Sequence, residues 1–174
     1  MPAPETKGHG RPTAVQTYGI RPATMADSLA IRQIRNAAVR KSLAIWTSIE
    51  QDPAQAEAWL APMVQRGTAL VAHVDGKPQE IVGFAVAGAW RSYEGYARTV
   101  EDSIYLSPAV QGHGLGPRLL VALIEASRAA GDRTMIALIE AGNMASVHLH
   151  ERYGFTIVGT IPQAGEKLGQ LLDL

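Results

Sequence analysis

An α/β (α+β) domain built on a mixed, mostly antiparallel sheet flanked by helices is predicted by three observations. The 174 residues are 47% hydrophobic, enough for one substantial core and short of the length at which a second is expected. Two segments of helical periodicity precede an antiparallel hairpin pattern, and a β-α-β-α-β succession follows it. In that second half a glycine-rich turn joins a strand directly to a helix. No internal repeat, low-complexity segment or second compositional regime interrupts residues 19–174, which read as one domain behind a loose tail, residues 1–18, rich in Pro, Gly and Thr.

Ile20-Arg21-Pro22-Ala23 reads as a short strand stopped by proline, with Asp27 placed to cap the helix that follows. In that helix Leu29, Ile31, Ile34 and Ala38 recur at helical spacing, while Arg32, Arg35, Asn36, Arg40 and Lys41 fall largely on the other side. A second helix opens at Pro53, turns Ala56, Trp59, Leu60 and Met63 inward and ends at Gly67. The period then changes to that of strands: Ala69 to Val74, a turn at Asp75-Gly76-Lys77-Pro78, and a return over Ile81 to Ala87. A strand from Thr99 to Leu106 ends at Ser107-Pro108. Gln111 to Gly116 then opens a helix with Leu119, Leu120, Leu123, Ile124 and Ser127 on one face, ended by Gly131. Thr134 to Ile139 is expected as a strand, Asn143 to Tyr153 as a helix and Phe155 to Ile161 as a further strand.

Composition narrows the function. Sixteen Lys+Arg balance 16 Asp+Glu, so no excess of charge draws the chain to nucleic acid or to an anionic membrane. The longest near-continuous apolar run, Ile81 to Trp90, falls short of the about 20 residues that a membrane-crossing helix needs. The first residues lack the apolar stretch of a signal peptide. Without cysteine there are no disulfides, no thiolate catalysis and no Cys-ligated zinc, in keeping with a cytoplasmic location. His148 and His150, two apart, face different sides of their helix and make no metal pair; no metal site is expected.

Gln111-Gly112-His113-Gly114-Leu115-Gly116 is the strongest local signal. Its glycines let the backbone turn tightly and approach a ligand, and the helix behind aims unpaired N–H groups and its positive dipole end at an anion. Three glycines alone also suit a plain structural turn. No Gly-Lys-Ser/Thr follows, which excludes a P-loop, and the preceding hairpin does not suit a dinucleotide fingerprint. Glu101 and Asp102, adjacent on a strand, are equal candidates for a general base, and strand alternation puts them on opposite faces.

The six-residue loop resembles the Q/R-x-x-G-x-G/A loop of the GNAT N-acetyltransferases and stands between the right strand and the right helix. Ala44-Ile45-Trp46-Thr47, Ala89-Trp90-Arg91, the run from Gly95 to Pro108, the run from Asn143 to Phe155 and Pro162-Gln163-Ala164-Gly165 are similar to the phosphinothricin and methionine-sulfone/sulfoximine N-acetyltransferase branch. The resemblance covers about residues 20 to 174. It implies the GNAT fold, splayed at the acetyl-CoA site, and acetyl transfer from acetyl-CoA to the α-amine of small amino acids and their analogues.

On this resemblance Gln111, Gly112, His113, Gly114, Leu115, Gly116 and Pro117 hold the CoA pyrophosphate. The backbone of Ile104, Tyr105 and Leu106 pairs with the pantetheine arm as an added strand would. An N–H near Leu106 donates to the thioester oxygen as it gains charge. Glu101 aligns with the base that strips the incoming ammonium. Asn143 and Ser146 lie on the CoA side, Asn143 doubling as a helix cap, and His150 occupies the position of a proton donor to the leaving thiolate. Arg91, followed by Ser92 and Tyr93, is placed to grip an acceptor carboxylate or side-chain oxygen, with Trp46 and Tyr93 as an apolar wall. A homodimer is implied as well. Two other readings share the CoA-facing residues: a peptide or protein N-terminal acetyltransferase, and a sensor that binds acyl-CoA without turnover.

Overall fold

A computed structural model describes residues 16–174. Residues 1–15, and with them most of the expected tail, lie outside the described residues. The first strand, β1 (Tyr18–Pro22), starts inside that expected tail, with Tyr18 paired to Val74. The elements that follow are α1 (Ser28–Lys41), α2 (Pro53–Arg66), β2 (Ala69–Val74), β3 (Lys77–Ala89), β4 (Thr99–Leu106), α3 (Leu115–Ala129), β5 (Thr134–Ile136), α4 (Met144–Arg152), β6 (Gly165–Lys167) and β7 (Gln170–Leu172). Strands β1 to β5 lie side by side in chain order; the neighbours are antiparallel except β4 and β5, which run parallel.

Local chemistry sets the helix ends. Asp52 caps α2 by accepting from the Gln55 N–H at 2.8 Å, the Gln55 side chain accepts in return from the Asp52 N–H at 3.1 Å, and Gly67 closes the helix at φ 75°. Between β1 and α1, Arg21 grips the Asp27 carboxylate through two hydrogen bonds of 2.8 and 2.7 Å, which holds that carboxyl below its ordinary range.

Alternation along the strands divides the core in two. Ala69, Val71, Phe84 and Val86 meet Ile31, Leu60 and Met63 on the α1/α2 face. Leu70, Ala72, Ala85, Ala87 and Val100 meet Leu115, Leu119 and Leu123 of α3 on the other. Burying each of the larger side chains contributes about 1.5–3 kcal/mol, and Phe84, Leu60, Leu119 and Leu123 are completely buried. No helix among the described residues is long and apolar enough to cross a membrane.

Two expectations fail in the last third of the chain. β5 ends at Ile136 instead of Ile139. Phe155 to Ile161 forms no strand, although Ile161 and Leu174 exchange backbone hydrogen bonds of 2.7 and 3.0 Å. Apolar spacing reports a propensity to extend, while a strand also needs a partner for its N–H and C=O groups; here β6 and β7 pair with each other as a separate ribbon. One expected boundary is also displaced: β3 begins at Lys77, because the ladder slips at His73 and leaves a two-residue Asp75-Gly76 turn with Gly76 at φ 76°.

Candidate active site

The site begins with a sheet that opens. Parallel pairing of β4 to β5 stops after Glu101 and Ile136, whereas β4 stays paired to β3 as far as Leu106. The direction of the backbone groups follows from two contacts: the Ser107 N–H donates to Val82 O at 2.8 Å, toward β3, and Arg98 O accepts from Arg133 and Thr134 at 2.9 and 3.2 Å, on the β5 side. In an antiparallel ladder both groups of a residue point the same way and neighbours alternate. Ile104 and Leu106 therefore direct N–H and C=O into the gap that β5 leaves. Tyr105 does not, because its backbone faces β3 opposite Phe84, so the expected three-residue backbone contact reduces to Ile104 and Leu106. The Tyr105 ring packs against Phe84 with centroids 5.3 Å apart, and burial pushes its hydroxyl pKa up to about 12.

The glycine loop stands at the C-terminal end of the same strand. Gly112 and Gly114 adopt φ of 79° and 73°, the left-handed region in which a side chain is strained. Gly114 is the N-cap of α3 and offers no side chain to the first N–H groups of the helix, so those of Leu115 and Gly116 have no cap. Pro117 has no N–H and contributes a helix-compatible φ in place of a donor. Gln111 and His113 are exposed, with His113 Nδ1 3.0 Å from Gln111 O.

Glu101 and Asp102 separate as alternation requires. Glu101 shares the α1/α2 side with Tyr105, and Asp102 shares the α3 side with Val100. Burial raises the Glu101 carboxyl above its ordinary range, the Asp102 charge adds to this, and Arg91 opposes it. The carboxylate has no ion-pair partner among the described residues. A half-buried carboxylate with a raised pKa is suited to taking up a proton.

Asp102 is bound instead. Its Oδ2 lies 3.0 Å from His150 Nε2, and His150 Nδ1 donates to Ser146 O at 2.7 Å. Both residues are buried, and Asp102 Oδ1 is enclosed without a partner. Burial opposes the charged ring, yet the Asp102 carboxylate and the Ser146 carbonyl outweigh it and raise the His150 pKa. Both ring nitrogens are thus committed, which departs from the expected donor to a leaving thiolate. The pair instead ties α4 to β4. Asn143 caps α4, its side chain accepting from the Ser146 N–H at 3.2 Å.

Arg91, Ser92 and Tyr93, expected to bind the acceptor, are exposed after β3, with the Arg91 guanidinium 4.3 Å from the Trp90 ring centre. Trp46, half-buried in the α1–α2 loop, donates from Nε1 to Leu43 O at 2.8 Å and lies against Gly165, where a Cβ would come within 2.3 Å of the indole. The buried Lys167 donates to Ile45 O. The β6–β7 ribbon therefore seats the loop. Asn36 holds its other end: its side chain donates to Gln51 O at 2.9 Å and accepts from Gln51 N–H at 3.1 Å. Sequence periodicity placed Asn36 and Arg35 on the outer side of α1, yet Asn36 is buried and Arg35 half-buried. A polar pair at the edge of an apolar stripe was the signal available.

The Acetyltransferase (GNAT) family matches residues 31–155. An L-methionine sulfoximine/L-methionine sulfone acetyltransferase of Pseudomonas paraeruginosa is 44% identical over 89% of this chain and 90% of its own. A phosphinothricin N-acetyltransferase of Streptomyces coelicolor is 31% identical over 89% and 91%. The solved structure of the acetyltransferase yncA of Salmonella typhimurium with its cofactor acetyl-CoA superimposes with a TM-score of 0.84 at 41% identity, covering 90% of this chain and 89% of that one.

Proposed function

The chain belongs to the acetyltransferase (GNAT) family, and from that premise we propose that it transfers acetyl from acetyl-CoA to the α-amine of small amino acids or their sulfone, sulfoximine or phosphinate analogues. The observation that carries the reading is the open edge of β4 beside a glycine-rich helix start. Ile104 and Leu106 present unpaired backbone groups suited to an amide-bearing arm, and the uncapped N–H groups at Gly114 to Gly116 suit a pyrophosphate. Acetyl-CoA supplies the thioester; the remaining chemistry is the chain's own.

Glu101 accepts the proton that the acceptor ammonium must lose, directly or through one water. The freed amine attacks the thioester carbon, the C–S bond breaks as the nitrogen gives its second proton to solvent and the amide forms, the thiolate leaves and takes a proton from solvent, and Glu101 returns its proton to solvent. The Leu106 N–H is aimed to donate to the oxygen that gains charge in between. Arg91, whose charge is felt at Glu101, orients the acceptor carboxylate. Asp102 and His150 hold α4 against the open edge, so His150 acts as an anchor. Residues 18–174 form the catalytic domain, with Tyr18 paired into its sheet.

We also propose a homodimer. Ile157, Val158, Ile161, Leu168 and Leu171 expose large apolar side chains along the C-terminal segment and ribbon, with Val158 97% exposed, a concentration that suits an interface. Val158→Glu is expected to halve the mass measured by light scattering; an unchanged mass removes this assignment.

Thiol release from acetyl-CoA, followed with DTNB across methionine sulfone, methionine sulfoximine, phosphinothricin, the common amino acids and short peptides, tests the function. Turnover on free amino acids is expected. Turnover on peptides alone, or acetyl-CoA binding without turnover on any acceptor, overturns it.

A further inference from the structure

An open cleft of about 570 Å³ lies at the N-terminal ends of β4 and β5, with Glu94, Arg98, Thr99, Arg133 and Thr134 in its lining. That volume is of the size that holds a small molecule. It is not the acetyl-CoA cradle, which stands at the other end of β4, on the order of 23 Å from Thr99 along the strand.

The backbone fixes its walls. The Trp90 N–H donates to Thr99 O at 3.1 Å and closes the β3–β4 connection, in which Glu94–Tyr96 make a single 3-10 turn. The Arg133 N–H donates to Arg98 O at 2.9 Å, so two arginines adjoin on neighbouring strands. Arg21, Arg40 and Arg66 are paired with Asp27, Glu50 and Asp132. Arg98 and Arg133 are exposed and form no ion pair with a described residue. Like charges side by side on neighbouring strands repel, and an anion bound between two guanidinium forks turns that repulsion into attraction.

Glu94 lines the same cleft and also forms no ion pair with a described residue. A cleft that keeps two cations and an acid unpaired matches a ligand carrying both charges, its carboxylate toward Arg98 and Arg133 and its ammonium toward Glu94. A simple anion would be repelled by Glu94. The arginine pair also lies away from Glu101. Val100 and Met135 pack toward α3, and alternation puts Arg98 and Arg133, two residues before each, on that side of the sheet. An amine matched to the Glu94 carboxylate stays an ammonium and does not attack a thioester.

We propose that this cleft is a second amino-acid site, which binds a zwitterionic α-amino acid without acetylating it, apart from both the acetyl-CoA cradle and the acceptor position at Glu101.

Calorimetry on the full chain without acetyl-CoA tests this independently of turnover. The probes are L-methionine sulfone, its N-acetyl derivative, which keeps the carboxylate and lacks the ammonium, and inorganic phosphate. Arg98→Met with Arg133→Met is expected to weaken one methionine sulfone binding event by about tenfold or more, with thiol release on methionine sulfone and KM for acetyl-CoA as in the wild type. The corresponding double lysine variant is expected to keep part of that binding. Glu94→Gln is expected to erase the preference for the amino acid over its N-acetyl derivative. Methionine sulfone binding that the double methionine variant leaves unchanged overturns the site. Binding lost together with turnover makes the cleft the acceptor position and overturns a second site. Phosphate bound as tightly as the amino acid, with Glu94→Gln without effect, overturns the zwitterion. Absence of wild-type turnover on every amino acid overturns the acetyltransferase reading alone, and the calorimetric comparison still decides the cleft.

Discussion

Glu101 and Asp102 adjoin on β4, yet the two faces of the sheet treat them differently. Toward α3 and α4, Asp102 is enclosed and bonded to His150, whose other nitrogen is held by Ser146 O. Toward α1 and α2, Glu101 is half-buried with no ion-pair partner, and burial lifts its pKa. A buried charge with a partner becomes part of the fold, because removing either member strands the other. One without a partner is held at a disadvantage that a proton relieves, which is the property on which the proposed role of Glu101 rests. The comparison teaches that neighbouring carboxylates meet different fates according to the face they occupy, one bound into the fold and one left without an ion-pair partner among the described residues.

The sharpest way to break this division is to remove the paired acid. Asp102→Ala leaves a buried imidazole without its partner and is expected to cost about 3–5 kcal/mol of stability, read from urea unfolding; a loss under 1 kcal/mol on the same measurement means the pair does not hold α4. Glu101→Gln should do the reverse. It is expected to lower turnover roughly a hundredfold or more with unchanged acetyl-CoA affinity and no loss of melting temperature, since it removes a desolvated charge. Turnover like the wild type in that variant removes Glu101 as base.

A smaller effect is expected in the glycine loop. Gly114→Ala meets no atom within 4 Å but must hold φ 73°, at a cost of about 1–2 kcal/mol, seen as a roughly tenfold higher KM for acetyl-CoA with kcat for the bound complex little altered. An unchanged KM means that the left-handed turn is not what shapes the cradle.

The smallest effects are those of pH, and they have opposite signs on the two faces. His150 is raised in the folded state, so the stability it contributes is full below the unfolded value of about 6.5 and fades as pH rises through the folded one. The stability gap between wild type and Asp102→Ala should therefore be wider at pH 6 than at pH 9. As the proposed base Glu101 must be ionised, so kcat/KM should fall on acidification through a value above the ordinary carboxylate range. An acid limb that persists unshifted in Glu101→Gln belongs to another group.

Much of this was legible in the chain. Helical spacing and end signals located α1, α2 and α3, since Asp52, Pro53 and Gly67 act within a few residues of themselves. The loop from Gln111 to Gly116 announced a left-handed turn into a helix start, because glycine freedom and a helix start are local properties. Alternation alone put Glu101 and Asp102 on opposite faces. The burial of Asn36 and Arg35 was hidden, because helical spacing gives a direction around the axis and not what the loop or the sheet brings there. The segment from Phe155 to Ile161 had the pattern of a strand and lacked the partner.

The sequence by itself determined which segments extend or coil, where they stop, and which side chains share a face, all of which follow from interactions within a turn or two of the backbone. Only the tertiary structure decided that β5 leaves β4 after Ile136, that His150 meets Asp102 across 48 positions of chain, and that Lys167 and Gly165 seat the loop at Ile45 and Trp46. Those contacts join residues far apart in the chain, and nothing in local spacing encodes the partner; packing selects it when the sheet and helices close on one another.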